Sequence, residues 1–151
     1  MGDRLAGRRV LVTEADHYMG PDIVELFRAE GAEVIADTRD LSQDGAVEAA
    51  LDDAGVIDVL VANLSEREEK MTFVHKLREE DWFGFFDHLA HPLMRLIRLA
   101  VPPMCERGAG KVVAVTSAAP LRLRNHLNVA NDISPPPAVT ALRSLRPTLS
   151  C

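Results

Sequence analysis

Residues 9–21 read Arg9-Val10-Leu11-Val12-Thr13-Glu14-Ala15-Asp16-His17-Tyr18-Met19-Gly20-Pro21. The first five make a short β-branched run, the profile of a strand buried on both faces of a parallel sheet. Pro21 suits a first helical turn, and Asp22 suits the positive end of the helix dipole. Ile23, Val24, Leu26 and Phe27 give the helix predicted over 21–30 its apolar face, and Gly31 is a natural residue just past its end. A strand that enters a helix through a tight turn can hold a dinucleotide when glycines let the backbone approach the pyrophosphate. Here only Gly20 survives. Glu14 and Asp16 repel phosphate, and Tyr18 fills space near the strand end. The turn therefore reads as one that does not cradle a dinucleotide, or as a degenerate turn at which nothing binds.

Working outward, Ala32 to Ala36 is a second strand, followed by a helix at about 43–54 with Val47, Ala50 and Leu51 on one side. Ile57 to Ala62 is a third strand, closing at Asn63. A long helical region is predicted over about 78–107. It carries Trp82, Phe85, Phe86, Leu89, Leu96, Ile97 and Val101, with a kink at Pro92. Lys111 to Thr116 is a fourth strand, ending at Ser117. Strands alternating with helices predict an α/β fold: a Rossmann-like three-layer parallel sheet, incomplete at about four strands where doubly wound sheets usually have five or six. Ligands in such sheets bind at the carboxyl ends of strands. That singles out Thr13 to Gly20, Asp37 to Asp40, Asn63 to Ser65, and Ser117 to Leu121.

Composition bounds the function. The 151 residues are 47% hydrophobic and 26% charged, which excludes a wholly disordered chain. No run is apolar enough to span a membrane, and the amino-terminal residues do not read as a signal peptide. Two cysteines, Cys105 and Cys151, make no disulfide framework and fit a reducing, cytoplasmic setting. A net charge of −6 makes nucleic acid a poor partner. The five histidines show no spacing that suggests a metal site, so no metal is expected. The charge is uneven: residues 1–121 hold 13 basic and 22 acidic residues, whereas 122–151 hold four arginines and one acid. That last stretch has no aromatic residue and includes Pro135-Pro136-Pro137. Residues 1–121 are read as the folded body and 122–151 as an atypical, poorly packed tail. The sequence has a single tyrosine, Tyr18.

The first turn, Ile57-Asp58-Val59-Leu60-Val61-Ala62-Asn63 and Val113-Ala114-Val115-Thr116-Ser117 together resemble the short-chain dehydrogenase/reductase superfamily. More narrowly, Thr13, four residues, Tyr18, one residue and Gly20 resemble the signature of halohydrin dehalogenases, T-x4-[FY]-x-G, which stands where cofactor-using relatives carry glycines. Ser117-Ala118-Ala119-Pro120 resembles the serine segment of that group. The resemblance implies a lyase that converts vicinal haloalcohols to epoxides with release of halide and without a cofactor. It implies Ser117 as the catalytic serine, with Thr13, Tyr18, Asn63, Pro120 and Leu121 around the halide and substrate. Two further features agree with a lost cofactor site. Asp37 runs almost directly into Asp40-Leu41-Ser42, leaving little to hold an adenosine ribose. The asparagine that the family carries in its long helix is missing around Asp87-His88-Leu89-Ala90-His91, where the two histidines read as ordinary helix residues.

The resemblance also places a tyrosine base 13 positions after Ser117 and an arginine four beyond it. Those positions hold Ala130 and Ser134, so turnover is expected to be impaired. A shifted reading of the codons for Pro135 to Val139 can yield Ala-Ala-Arg-Gly, similar to the family's tyrosine helix, so a changed reading frame is one account of the tail. Two other functions stay open: a nicotinamide-dependent oxidoreductase, and a non-catalytic chain that binds a homologue. Phe85, Phe86 and Leu89 on the long helix either pair subunits in a homo-oligomer or belong to the core.

Overall fold

The computed structural model describes residues 2–65 and 74–116. The run Arg9–Val12 is the first strand, β1, with Val10, Leu11 and Val12 wholly buried. The helix α1 spans Gly20–Ala29 and the strand β2 Glu33–Ala36. The helix α2 follows at Ala46–Ala54 and the strand β3 at Val59–Ala62. After one 3-10 turn at Val74–Lys76, the chain forms α3 (Glu79–Phe85), a π turn (Phe86–Ala90), α4 (His91–Glu106) and the strand β4 (Lys111–Ala114).

The four strands are parallel, in the order β2-β1-β3-β4. Leu11 stands opposite Ile35 on one side and Leu60 on the other, and Val61 opposite Val113. Period-two alternation then sorts the side chains to two faces. Val10, Val12, Val59 and Val61 join Ala15 and Val24 in one core, against which Ile23 and Phe27 of α1 pack. Leu11, Leu60 and Ala62 face the other way, into a larger core with Val47, Ala50, Leu96, Ala100 and Met104 from α2 and α4. These are the three layers expected from the sequence.

Local departures have physical causes. Leu26, assigned above to the apolar face of α1, is 54% exposed, because Ile23, Val24 and Phe27 already fill the stripe that meets the sheet. The helix expected from about residue 43 starts at Ala46, after Gly45 turns the chain at φ 75°. The long helix is interrupted before Pro92. A proline has no N–H to offer the carbonyl four residues back, and its ring collides with that group; one wide turn relieves both. Phe85 is core, at 3% exposure, and Leu89 packs against the larger core. Phe86 lies between Trp82 and His91 with its ring tilted against both, the centroids 5.6 and 6.4 Å away. Trp82 and Phe83 face outward, and sequence reading did not single out Phe83. Among the described residues no helix is long and apolar enough to cross a membrane.

Candidate functional site at the carboxyl ends of the strands

The strand order reverses between β1 and β3, since the chain leaves β1 toward one edge and reaches β3 on the other side. The crevice at such a switch point is where sheets of this kind bind ligands. Its floor is a hydrogen-bonded unit built from the ends of β1, β2 and β3. Thr13 is fully buried; its N–H donates to the Val61 carbonyl at 3.1 Å, and its Oγ1 accepts from the Asn63 N–H at 3.1 Å. Asn63, also fully buried, turns its Nδ2 back to donate to the carbonyls of Glu14 and His17, both at 3.0 Å. The Ala15 N–H donates to the Asp37 carbonyl at 2.7 Å, which ties the turn to β2 as well. Thr13 and Asn63, both assigned to the pocket on resemblance, are thus brought together as the frame of the first turn.

Within that turn two side-chain-bearing residues hold left-handed backbone: Glu14 at φ 45° and Tyr18 at φ 50°. Outside glycine this conformation is uncommon and costs about 1–2 kcal/mol. Gly20 is required for a different reason. A Cβ there would stand 2.6–2.7 Å from the backbone of Ala15, so the helix could not start so close to the turn. Glu14 is wholly buried, and its Oε2 accepts hydrogen bonds from the Ser65 N–H at 3.0 Å and the Ser65 hydroxyl at 3.1 Å. Tyr18 projects the other way, 56% exposed at the carboxyl edge. Beside it, the His17 Nδ1 lies 2.8 Å from the Asp16 carboxylate.

The end of β2 supplies a second charged group. Asp37 is buried and accepts from the Arg39 N–H at 3.0 Å, and the Arg39 guanidinium pairs with both Asp37 and Asp53. The hydrogen bond that Arg39 donates to Asp53, and then the charge of Asp37, hold its guanidinium more basic than usual. Asp40 accepts from the Ser42 hydroxyl at 2.7 Å and the Ser42 N–H at 3.0 Å, with the Gln43 amide at 3.3 Å. The His88 Nδ1, on the π turn, lies 3.8 Å from Asp40. Burial pushes the Asp40 carboxyl up, but the Ser42 and Gln43 hydrogen bonds together with the nearby His88 outweigh it, so its pKa falls below the ordinary value. His88 therefore faces an acid, while His91 pairs with Asp87 along the helix at 3.0 Å.

Sequence reading missed the inward turn of Glu14, the Arg39 bridge and the Asp40–His88 approach. A glutamate is ordinarily solvent-facing, and no local pattern marks one that will be enclosed by the next strand's loop. Ser117, Pro120 and Leu121 lie outside the described residues, as do Ala130, Ser134 and the tail at 122–151.

The first turn does not fit a dinucleotide's pyrophosphate: its two left-handed positions carry a carboxylate and a ring, and a buried acid occupies it.

A family model described as short chain dehydrogenase matches residues 6–129. No match is found among curated proteins. Among solved structures, the chain is similar to one titled "Dehalogenation enzyme", with 26% identity and a TM-score of 0.70 over 84% of this chain and 61% of that one. It is similar to a serine dehydrogenase from Escherichia coli, with 28% identity and a TM-score of 0.68 over 81% of this chain and 68% of that one. It also shares its fold with an L-sorbose reductase from Gluconobacter frateurii solved with NADPH and L-sorbose, with 20% identity and a TM-score of 0.73 over 93% of this chain and 63% of that one. The chain thus spans less than two thirds of the length of the first and third of these proteins.

Proposed function

The chain belongs to the short-chain dehydrogenase family, and from that premise we propose that it is a cofactor-independent member shaped for vicinal haloalcohols, a halohydrin dehalogenase-like lyase. The observation that carries this reading is the first turn, where Glu14 and Tyr18 stand in the left-handed backbone that favours glycine. The likeness to a dehalogenation enzyme supports it.

In the proposed reaction Ser117 holds the substrate hydroxyl while a base removes its proton. The alkoxide oxygen attacks the neighbouring carbon; the C–O bond forms as the carbon–halogen bond breaks, and the halide leaves with the bonding pair. Such a displacement needs orientation and proton removal. The exposed Tyr18 lines the halide pocket with Pro120 and Leu121, and the buried Thr13 and Asn63 hold the turn that carries it. No tyrosine follows Tyr18 in the sequence, so this chain binds halide but turns substrate over poorly.

A second reading, a nicotinamide-dependent oxidoreductase, is favoured by Asp37, an acid at the end of β2 where dinucleotide domains hold a ribose, and by the likeness to a serine dehydrogenase. Ligand-dependent melting separates the two. The dehalogenase reading expects a saturable rise in Tm with sodium bromide at matched ionic strength and none with NADH or NADPH. It also expects epoxide formation from 2-bromoethanol near the uncatalysed rate, raised in a version whose tail is restored to the alternative reading frame. A nicotinamide-dependent rise without a bromide effect overturns it in favour of the second.

A further inference from the structure

The first turn keeps the backbone of a glycine turn while carrying side chains that a glycine turn lacks. Glu14 and Tyr18 are the two residues with positive φ outside glycine among those described, and both sit between the end of β1 and the start of α1. Their side chains part company. Tyr18 goes outward, and Glu14 goes inward to full burial. A buried carboxylate is costly unless hydrogen bonds and charge compensate it. Ser65, at the end of β3, supplies two such bonds from its N–H and its hydroxyl. Asn63, two residues earlier, grips the Glu14 main chain, so Glu14 is bonded to the β3 end through both its backbone and its side chain.

We propose that the Glu14 carboxylate acts as a built-in anion: it takes up the donors at the β3 end, fixes the switch-point crevice, and by its charge excludes phosphate-bearing ligands from the turn. This makes Glu14 a specificity-determining residue, set apart from Tyr18, whose part is bulk at the rim. The inference rests on the reading that the native turn holds no dinucleotide. A left-handed residue is kept there because the bonds it makes exceed the strain, and glycine at either position removes that strain.

The test uses isothermal titration and melting with two probes, inorganic pyrophosphate and NADH, on the full chain and on Tyr18→Gly, Glu14→Gln/Tyr18→Gly and Glu14→Gly/Tyr18→Gly. The expected result is that neither probe binds the parent or Tyr18→Gly, and that Glu14→Gly/Tyr18→Gly binds pyrophosphate at least tenfold more tightly than either. If that variant does not melt cooperatively, Glu14→Gln/Tyr18→Gly decides by the same criterion, since glutamine keeps the shape and an acceptor for Ser65 while removing the charge. A cooperatively melting double variant that binds no better than the parent overturns the role of Glu14 and leaves the dehalogenase reading standing. Tyr18→Gly alone gaining the full affinity also overturns it. Binding of NADH by the parent chain overturns the underlying reading itself.

Discussion

Asn63 shows how one polar side chain can set a whole edge of the molecule. Its two amide hydrogens are spent on the carbonyls of Glu14 and His17, in a place without solvent access. Asn63→Ala leaves those acceptors without their donor, and the expected loss is about 1–3 kcal/mol of stability, read as a lower urea midpoint at unchanged slope. Asn63→Asp, which sets a carboxylate against two carbonyl oxygens, is expected to lose more. Asp40 gives a prediction in pH. Its pKa is lower in the folded chain than in the unfolded one, so its contribution is complete above the unfolded value and is lost as pH falls through the folded one. The stability difference between the parent and Asp40→Asn should be constant near neutrality and shrink from about pH 5 downward. A difference that stays flat to pH 3 would show that the Ser42 and Gln43 bonds do not favour the ionised form. The segments that hold Thr13, Tyr18 and Asn63 were legible as strand ends. The direction of Glu14 was not, because it is decided by a serine 51 positions later in the chain.

At the scale of elements, the β-branched runs and the proline and glycine punctuation placed all four strands and both early helices to within a few residues. Those signals are local, and local geometry settles them. The helical region after residue 78 was harder. Its apolar periodicity is continuous through Phe85, Leu89 and Leu96, so it reads as one helix, and the π turn before Pro92 is a tertiary compromise between that proline and the packing of α4. Because α4 packs on α2 and on the sheet through Leu96, Ala100 and Met104, Leu96→Ala is expected to cost about 2–5 kcal/mol. Urea unfolding followed by circular dichroism measures it. A loss below 1 kcal/mol would mean that α4 contributes little to the larger core.

Across the whole molecule the two faces of the sheet differ. Among the described residues, α2 and α4 cover one face, while α1 alone covers the other, and Val113 of β4 is 44% exposed on the α1 side. The switch-point crevice lies between these two packed layers, held by bonds from the ends of β1, β2 and β3. By itself the amino-acid sequence determined the order of the elements, the parallel sheet, and a first turn stripped of all but one glycine. Each follows from short-range preference: branched side chains for strands, proline and acids for helix starts, and the need for glycine where a phosphate must approach. Only the tertiary structure decided what the turn does with its added side chains. Whether an acid points to solvent or into the crevice depends on donors brought from a distant strand, and a left-handed residue is held only when such bonds outweigh its strain. Pairing β1 with β3 supplied those donors, and with them the enclosed carboxylate at the centre of the candidate site.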